Sequence, residues 1–385
     1  MKSIIVIIGY NRKDCIRNCY RAVSRALMHE EDQIDLCFSL DHSDMQEELT
    51  AMISSFPWTY GEKRVITYPE RQGLRKHVLS CGDLVEGHDF LIMLEDDVIV
   101  SDSFYLYVRK AMEQYGDCPE IAGVSLYQHY THPQVGRHFE PEYSGSDVYL
   151  LQSAQSWGQA WSQRMWNDFR KWYAEHQSFE QPRRMADYSY GWDQRSWLRY
   201  YMGYICSENL FMIYPYHSFS TNMEEAGENR KYTDTDYQVS VVRGQKEFRM
   251  PALAELVRYD AFFERMDDPY FSGVYEGENV LMDLNGSHSR YFDAHYLLST
   301  RYLPYTVVRS YGLRLRPQEI NFREQISGND IFLYDLSKPA KKQKAGINSN
   351  VVRYDVRAVS WARLSFLGAT EFAQNLRKKR KKRRK

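Results

Sequence analysis

Within the first hundred residues, short apolar runs of strand length alternate with segments of helical spacing, and this alternation limits the chain to few architectures. Ser3–Ile8 (SIIVII) reads as a buried strand, and Asp14–Met28 sets Ile16, Cys19, Val23 and Leu27 on one helical face. Ile34–Leu40 reads as a second strand and Met45–Phe56 as a second helix. Arg64–Tyr68, Leu74–Leu84 and Phe90–Leu94 continue as strand, helix and strand. The pattern predicts an α/β layered domain around a mostly parallel sheet. Ligands of such sheets gather at the carboxyl ends of the strands. Tyr10, Asn11, Arg12, Asp41 and the triplet Glu95, Asp96, Asp97 all fall there.

The triplet is the sharpest chemical feature. In FLIMLEDDVIV (Phe90–Val100) an apolar strand runs into three consecutive carboxylates and apolar residues then resume. Like charges held together in a half-buried place are costly unless a cation or hydrogen bonds compensate them. A seat for a divalent cation, Mg2+ or Mn2+, meets that need, since hard oxygen ligands suit both ions. A solvated acidic turn at a strand end meets it equally on the triplet alone. Beyond Ser103, Phe104–Tyr115 reads as a helix and Ile121–Tyr127 as a strand, while His129–Asp147, rich in Pro, Gly, His and Tyr, reads as a loop. Ser156–Trp166 and Tyr190–Met202 each read as entering a helix, and Tyr214–Asn229 as a mobile loop.

LEDDVIVSDSF resembles the metal-binding motif of GT-A-fold glycosyltransferases, in particular inverting enzymes related to N-acetylglucosaminyltransferase I and bacterial family 2-like transferases. SWGQAWSQRMW, GWDQRSWLRYYM and YPYHSFSTNMEEAGEN follow in the order of further segments in those proteins, so the resemblance covers roughly Ile4 to Asn229. It implies a Rossmann-like nucleotide-sugar-binding domain. It also implies that Asp97 contacts the metal and that Glu95 and Asp96 hold the ribose and donor sugar. Asp41 would face the base or ribose, and Tyr10, Asn11 and Arg12 would line the same pocket. Asp193 takes the place of the catalytic base, with Trp192 and Trp197 beside it to raise its pKa by desolvation and to stack on sugar. A plain helix N-cap is the other reading of Asp193. Trp157 and Gly158 would shape the donor-sugar wall; the plain alternative for Trp157, with Trp161, is a pair of core anchors. Ser218, Ser220 and Asn222 would close over the diphosphate, although Met223–Glu224–Glu225 stand where the relatives tend to carry Gly. Arg75, near the start of a helix, would approach the diphosphate or sit on a solvated basic face. His217 is a further, weaker metal or phosphate candidate.

The implied activity is metal-dependent, inverting transfer of a sugar from a nucleotide donor, a UDP-sugar first, to a hydroxyl of a lipid-linked glycan acceptor in surface polysaccharide assembly such as capsule or lipopolysaccharide. The choice of sugar and acceptor would rest on pocket shape and on loops such as His129–Asp147. Two other classes compete. A nucleotidyltransferase acting on sugar phosphates also uses acidic strand ends, but IIGYNRKDC carries one glycine where such enzymes place a Gly-rich phosphate loop. A non-catalytic carbohydrate-binding protein would use the aromatic content, 15% with 31 Tyr and 8 Trp, which a Tyr-rich core explains as well.

Charge and cysteines bear on location. The six cysteines are scattered without CxxC spacing, which suits reduced thiols in a cytosolic protein. The apolar start reads as a strand rather than a signal peptide. The last nine residues, RKKRKKRRK, are all basic, so without them the formal charge of −1 becomes −1 − 9 = −10. With the helical pattern of Val356–Leu376 before it, this run predicts attachment to an anionic membrane surface, the inner face of the plasma membrane, rather than to nucleic acid. The expected organisation is a catalytic domain over 1–249, a small β-containing module over 250–337, and a linker, helix and basic tail over 338–385.

Overall fold

The computed structural model describes residues 1–223, 237–266, 268–274, 279–291, 294–340, 346, 348–356 and 359–382, with the side chains of 272–274, 371 and 374–382 excepted. The chain divides into two compact units, Met1–Asp293 and Ala294–Lys385.

The first unit begins with the expected alternation: β1 (Lys2–Gly9), α1 (Lys13–Val23), β2 (Gln33–Leu40), α2 (Gln46–Ser54), β3 (Lys63–Thr67), α3 (Leu74–Gly82) and β4 (Phe90–Glu95). There follow β5 (Val98–Val100), α4 (Phe104–Tyr115), β6 (Ile121–Ser125), β7 (Val148–Leu151), β8 (Gln159–Ser162), α5 (Gln163–Glu175), α6 (Asp187–Tyr190), α7 (Trp197–Ser207), β9 (Phe211–Pro215), β10 (Ser220–Asn222) and β11 (Arg258–Tyr259). Ile4, Ile5, Val6 and Ile7 of β1 are wholly buried, as are Leu91, Ile92 and Leu94 of β4. A strand apolar on both faces must lie in the middle of a covered sheet, which is why these two stand side by side at the centre.

Among the described residues the sheet has nine strands in the order β11-β7-β9-β6-β8-β4-β1-β2-β3. Along the run β4, β1, β2 and β3 each strand is parallel to the next. Beyond β4 the sheet is mixed: β8 runs antiparallel to both β4 and β6, while β6 and β9 are parallel. Strand β8 lies inside the Trp-rich segment expected to lead directly into a helix; that helix, α5, starts one residue after it, capped by the Ser162 hydroxyl, which accepts from the Met165 N–H at 3.3 Å.

The boundary expected after residue 249 falls inside this unit, because β11 pairs with β7 and Leu256, Val257, Tyr259, Ala261 and Phe263 join its core. Part of the segment Tyr214–Asn229 is strand, ending in β10 against β5; its remainder, 224–229, lies outside the described residues.

The second unit holds the strands Tyr296–Ser299, Tyr305–Tyr311 and Ile331–Pro339, the last central and antiparallel to both others. The helices Ser349–Val356 and Trp361–Lys382 follow. Trp361, Phe366, Leu367 and Phe372 of the final helix are exposed. Among the described residues no helix is long and apolar enough to cross a membrane.

Candidate active site

Parallel pairing of β1 with β4 puts Ile8 opposite Glu95, so the residues that leave both strands emerge at the same carboxyl edge. Arg12, which ends the turn into α1, meets the acidic triplet there. Its Nη1 donates to Asp97 Oδ2 at 2.9 Å and its Nε to Asp96 Oδ2 at 3.3 Å, and Nη2 donates to Asp96 Oδ1. One planar guanidinium therefore bridges two carboxylates, a geometry lysine has no means to reproduce.

The balance of burial and charge differs along the triplet. Asp96 is 4% exposed, and burial pushes its carboxyl up to about 6 in spite of Arg12. Burial, followed by the charges of Asp97 and Asp96, pushes Glu95 up to about 8, and a hydrogen bond from Ser156 opposes this. Burial alone would lower the pKa of Arg12, but the pull of Asp96 and Asp97 outweighs it and holds the guanidinium above its ordinary value. Among the described residues one cation serves three acids here, which leaves the site short of positive charge.

Two acceptors at this corner make the shortage specific. Oδ1 of Asp97 and Oδ1 of Asn222 are buried and have no hydrogen-bond partner among the described residues. Asn222 in β10 pairs in register with Val98, the residue after Asp97, and the Met223 N–H donates to the Asp97 carbonyl at 2.7 Å. A buried acceptor without a donor is costly, and a cation would satisfy Asp97 Oδ1. Among the described residues no three His, Cys, Asp or Glu side chains converge as a metal cage. The donor set thus fits an ion held by one carboxylate together with the phosphates of a ligand, the arrangement typical of Mg2+.

The neighbouring candidates have definite places. Asp41, 5% exposed after β2, accepts from the backbone N–H groups of His42, Gln72 and Gly73 at 2.9, 2.7 and 3.0 Å. It thereby pins the turn into α3. Tyr10 is half-buried with the Arg71 guanidinium 4.9 Å from its ring centre, and Asn11 is exposed. Arg75, in the first turn of α3, donates from Nη1 to the Gln194 carbonyl at 2.8 Å and to the Tyr200 hydroxyl at 2.9 Å. Through Asp41, α3 and Arg75, the turn that carries Asp193 is tied to the carboxyl edge.

Trp157 and Gly158 form the turn before β8. Gly158 has φ +99, and a Cβ there would lie 2.8 Å from Leu126 Cδ1. Only glycine suits both the conformation and the contact. Trp157 is half-buried and stacks on Tyr237 with ring centres 4.8 Å apart, so it is not the plain core anchor that Trp161, fully buried, is. Its carbonyl accepts the Ser220 hydroxyl, and Ser218 Oγ donates to the Ser220 carbonyl at 2.7 Å.

Asp193 differs from expectation in three respects. It lies in an exposed turn and is not a helix cap: the residue before α7 is Ser196, whose side chain makes no capping bond. Arg195 grips it, with Nη2 2.9 Å from Oδ2 and Nε 3.1 Å from Oδ1, and its backbone N–H adds a third bond at 2.7 Å. Those bonds hold the carboxyl down to about 2, the reverse of the desolvation-raised value expected from Trp192 and Trp197. Trp197 does not line a sugar site: it is 2% exposed and packs against Trp161 and Tyr201 in the core. Trp192 is half-buried, edge-on to Tyr188 at 5.6 Å. His217 is exposed and lines a separate cleft described below. Two residues that sequence reasoning passed over support the site. Gln155 Nε2 donates to Ser125 Oγ at 2.7 Å and to the Gly158 carbonyl at 2.9 Å, and Tyr237 stacks on Trp157. No local pattern marks either one.

No family model matches the chain, and no curated protein sequence matches it. Among solved structures, the mannosyltransferase PcManGT from Pyrobaculum calidifontis, in complex with GDP-Man and Mn2+, is similar over 42% of this chain and 44% of its own, with 9% identity and a TM-score of 0.31. S. aureus TarS 1-349 in complex with UDP-GlcNAc is similar over 62% of each chain, with 9% identity and a TM-score of 0.39. GalNAc-T7 with UDP, GalNAc and Mn2+ is similar over 56% of this chain and 42% of its own, at 12% identity and a TM-score of 0.36. The chain spans less than two thirds of each. Likenesses this distant carry no argument here, and the functional reading below stands on the chain's own residues.

Proposed function

We propose that the chain is a metal-dependent, inverting glycosyltransferase that takes its sugar from a nucleoside diphosphate donor. The observation that carries this is the corner where Arg12 bridges Asp96 and Asp97 while Asp97 Oδ1 and Asn222 Oδ1 stay buried without a donor among the described residues. The motif order from Ile4 to Asn229 supports it. A divalent cation, Mn2+ or Mg2+, seated on Asp97 and the donor's phosphates would neutralise the departing diphosphate. Glu95, Asp96 and Arg12 position the donor around it, and Trp157–Gly158 with Ser220 form the wall beside it.

In the transfer, the acceptor hydroxyl oxygen bonds to the anomeric carbon and the bond from that carbon to the diphosphate oxygen breaks, its electron pair leaving with the diphosphate. The hydroxyl proton passes to Asp193. Held by Arg195, Asp193 is a weak base. An acceptor hydroxyl that displaces those bonds raises its proton affinity and turns it to this use. Asp193→Asn is expected to lower kcat by about a hundredfold or more with the donor's Kd unchanged. Near-normal turnover would remove Asp193 from the role.

We further propose that the final helix attaches the enzyme to an anionic membrane at the cytoplasmic face, beside a lipid-linked acceptor of surface polysaccharide. Exposed Trp361, Phe366, Leu367 and Phe372, followed by the basic run, support this. Deletion of Val356–Lys385 should move the protein to the soluble fraction. Membrane association that survives the deletion would refute the attachment.

A further inference from the structure

A second concavity of the first unit remains unused by this reading. It is a cleft of about 1020 Å3 between the segment that follows β6, the stretch Tyr216–Ser218, and Gln238–Val242. Among the described residues of the first unit, the two most exposed large apolar side chains are Tyr143 at 68% and Tyr130 at 57%, and both line this cleft. Each is held edge-on by a neighbouring ring, Tyr143 against Tyr216 at 5.3 Å and Tyr130 against His138 at 4.4 Å. Rigid, exposed aromatic faces lose little freedom when a ligand covers them, which favours binding over solvent exposure.

The chemistry of the lining narrows the ligand. Among the described residues the lining has no Lys or Arg, and Glu140 is its one acidic side chain. Those residues offer a phosphate group no Lys or Arg partner. What the cleft offers is aromatic surface together with exposed neutral polar side chains such as Gln238 and Ser240. Sugars match that combination, since a pyranose presents apolar C–H faces and a rim of hydroxyls. The volume lies at the upper end for a small-molecule pocket, so it suits several sugar units rather than one.

The cleft also adjoins the donor corner. Gln238 Nε2 donates to the Asn222 carbonyl at 3.3 Å, and the Val239 N–H donates to Thr221 Oγ1 at 3.1 Å. From Ser218 in the cleft wall to Asn222 is four residues, at most about 14 Å. We propose that this cleft seats the neutral, unphosphorylated sugar units of the acceptor glycan, with Tyr130 and Tyr143 as its stacking platforms. The proposal rests on the glycosyltransferase reading above for its direction, and on the cleft itself for its ligand class.

The test uses the full chain with cellohexaose, chitohexaose and an α-mannan hexasaccharide as probes, and Tyr143→Ala and Tyr130→Ala as variants. Binding is followed by saturation-transfer NMR and titration calorimetry. At least one hexasaccharide should bind, and each substitution should weaken it about fivefold or more at unchanged melting temperature. Absence of binding by all the probes at millimolar concentration, or binding indifferent to both substitutions, overturns the proposal. The nucleotide-induced melting shift, read on the same samples, separates the two readings. If the shift is present without sugar binding, the cleft assignment fails and the transferase reading stands. If sugars bind the cleft and no nucleotide binds, the transferase reading fails.

Discussion

Arg12 is the residue on which the corner depends. Its side chain is 22% exposed, that of Asp96 5% and that of Asp97 21%, so the pairing occurs where water screens it poorly. Removing one partner of such a pair leaves uncompensated buried charge, which costs more than the pair itself contributes. Arg12→Ala is therefore expected to destabilise the metal-free protein by about 3 kcal/mol at neutral pH, read from the midpoint and slope of urea unfolding. A loss indistinguishable from that of an exposed arginine would mean that the two carboxylates are better solvated than the structure indicates. The triplet is legible in sequence because an apolar strand ends on it. The bridge by Arg12 is not, since it depends on the register that sets Ile8 against Glu95 across residues far apart in the chain. Asp193 shows the same limit in reverse. Its two neighbouring tryptophans suggest an apolar pocket, yet Trp197 turns into the core and the exposed Arg195 dominates the carboxylate.

At the level of elements, periodicity serves well where a strand or helix is long and packed on one side. Phe104–Tyr115 is a helix between the expected residues, and β1, β2, β3 and β4 lie within a residue of expectation at each end. It fails for short elements whose identity is set by pairing. β8 has four residues, sits within a Trp-rich run and exists because β4 and β6 both need a partner. β11 has two residues, too few for any alternation, and yet by joining β7 it ties the chain beyond residue 249 to the first unit. The turn at Trp157–Gly158 belongs to the same group. A single glycine has no period, and only the Leu126 contact shows why a side chain there would be rejected.

For the whole molecule, stability should depend on pH in a direction fixed by buried groups of opposite kind. Burial lowers His77 and His132 to about 4 and His129 to about 3, from an ordinary 6.5. Each favours the neutral form in the fold, so its stabilisation is complete above 6.5 and is lost as pH falls toward the folded value. Glu95 and Asp96 are raised to about 8 and about 6, so their stabilisation is present at low pH and lost as pH rises through those values. Below 6.5 the three histidines act against Glu95 and Asp96, which Asp260, also raised by burial, joins, whereas above 6.5 Glu95 alone of these groups still changes. The metal-free protein should thus weaken as pH rises from 6.5 to 8, at no more than about 1.4 kcal/mol per pH unit. Urea midpoints across that range measure it. A midpoint that climbs steadily through pH 8 would contradict the burial of Glu95.

The central claim is that the carboxyl edge of β1 and β4 receives a nucleoside diphosphate together with a divalent cation. Its most direct test is the melting temperature of the full chain with UDP or GDP, with and without Mn2+, beside Asp97→Ala. A ligand that binds only the folded state raises the melting point in proportion to its saturation. The account predicts a rise with nucleotide plus Mn2+ that is much smaller with either alone and is lost in Asp97→Ala. An equal rise in Asp97→Ala, or none in the unsubstituted chain, would contradict it.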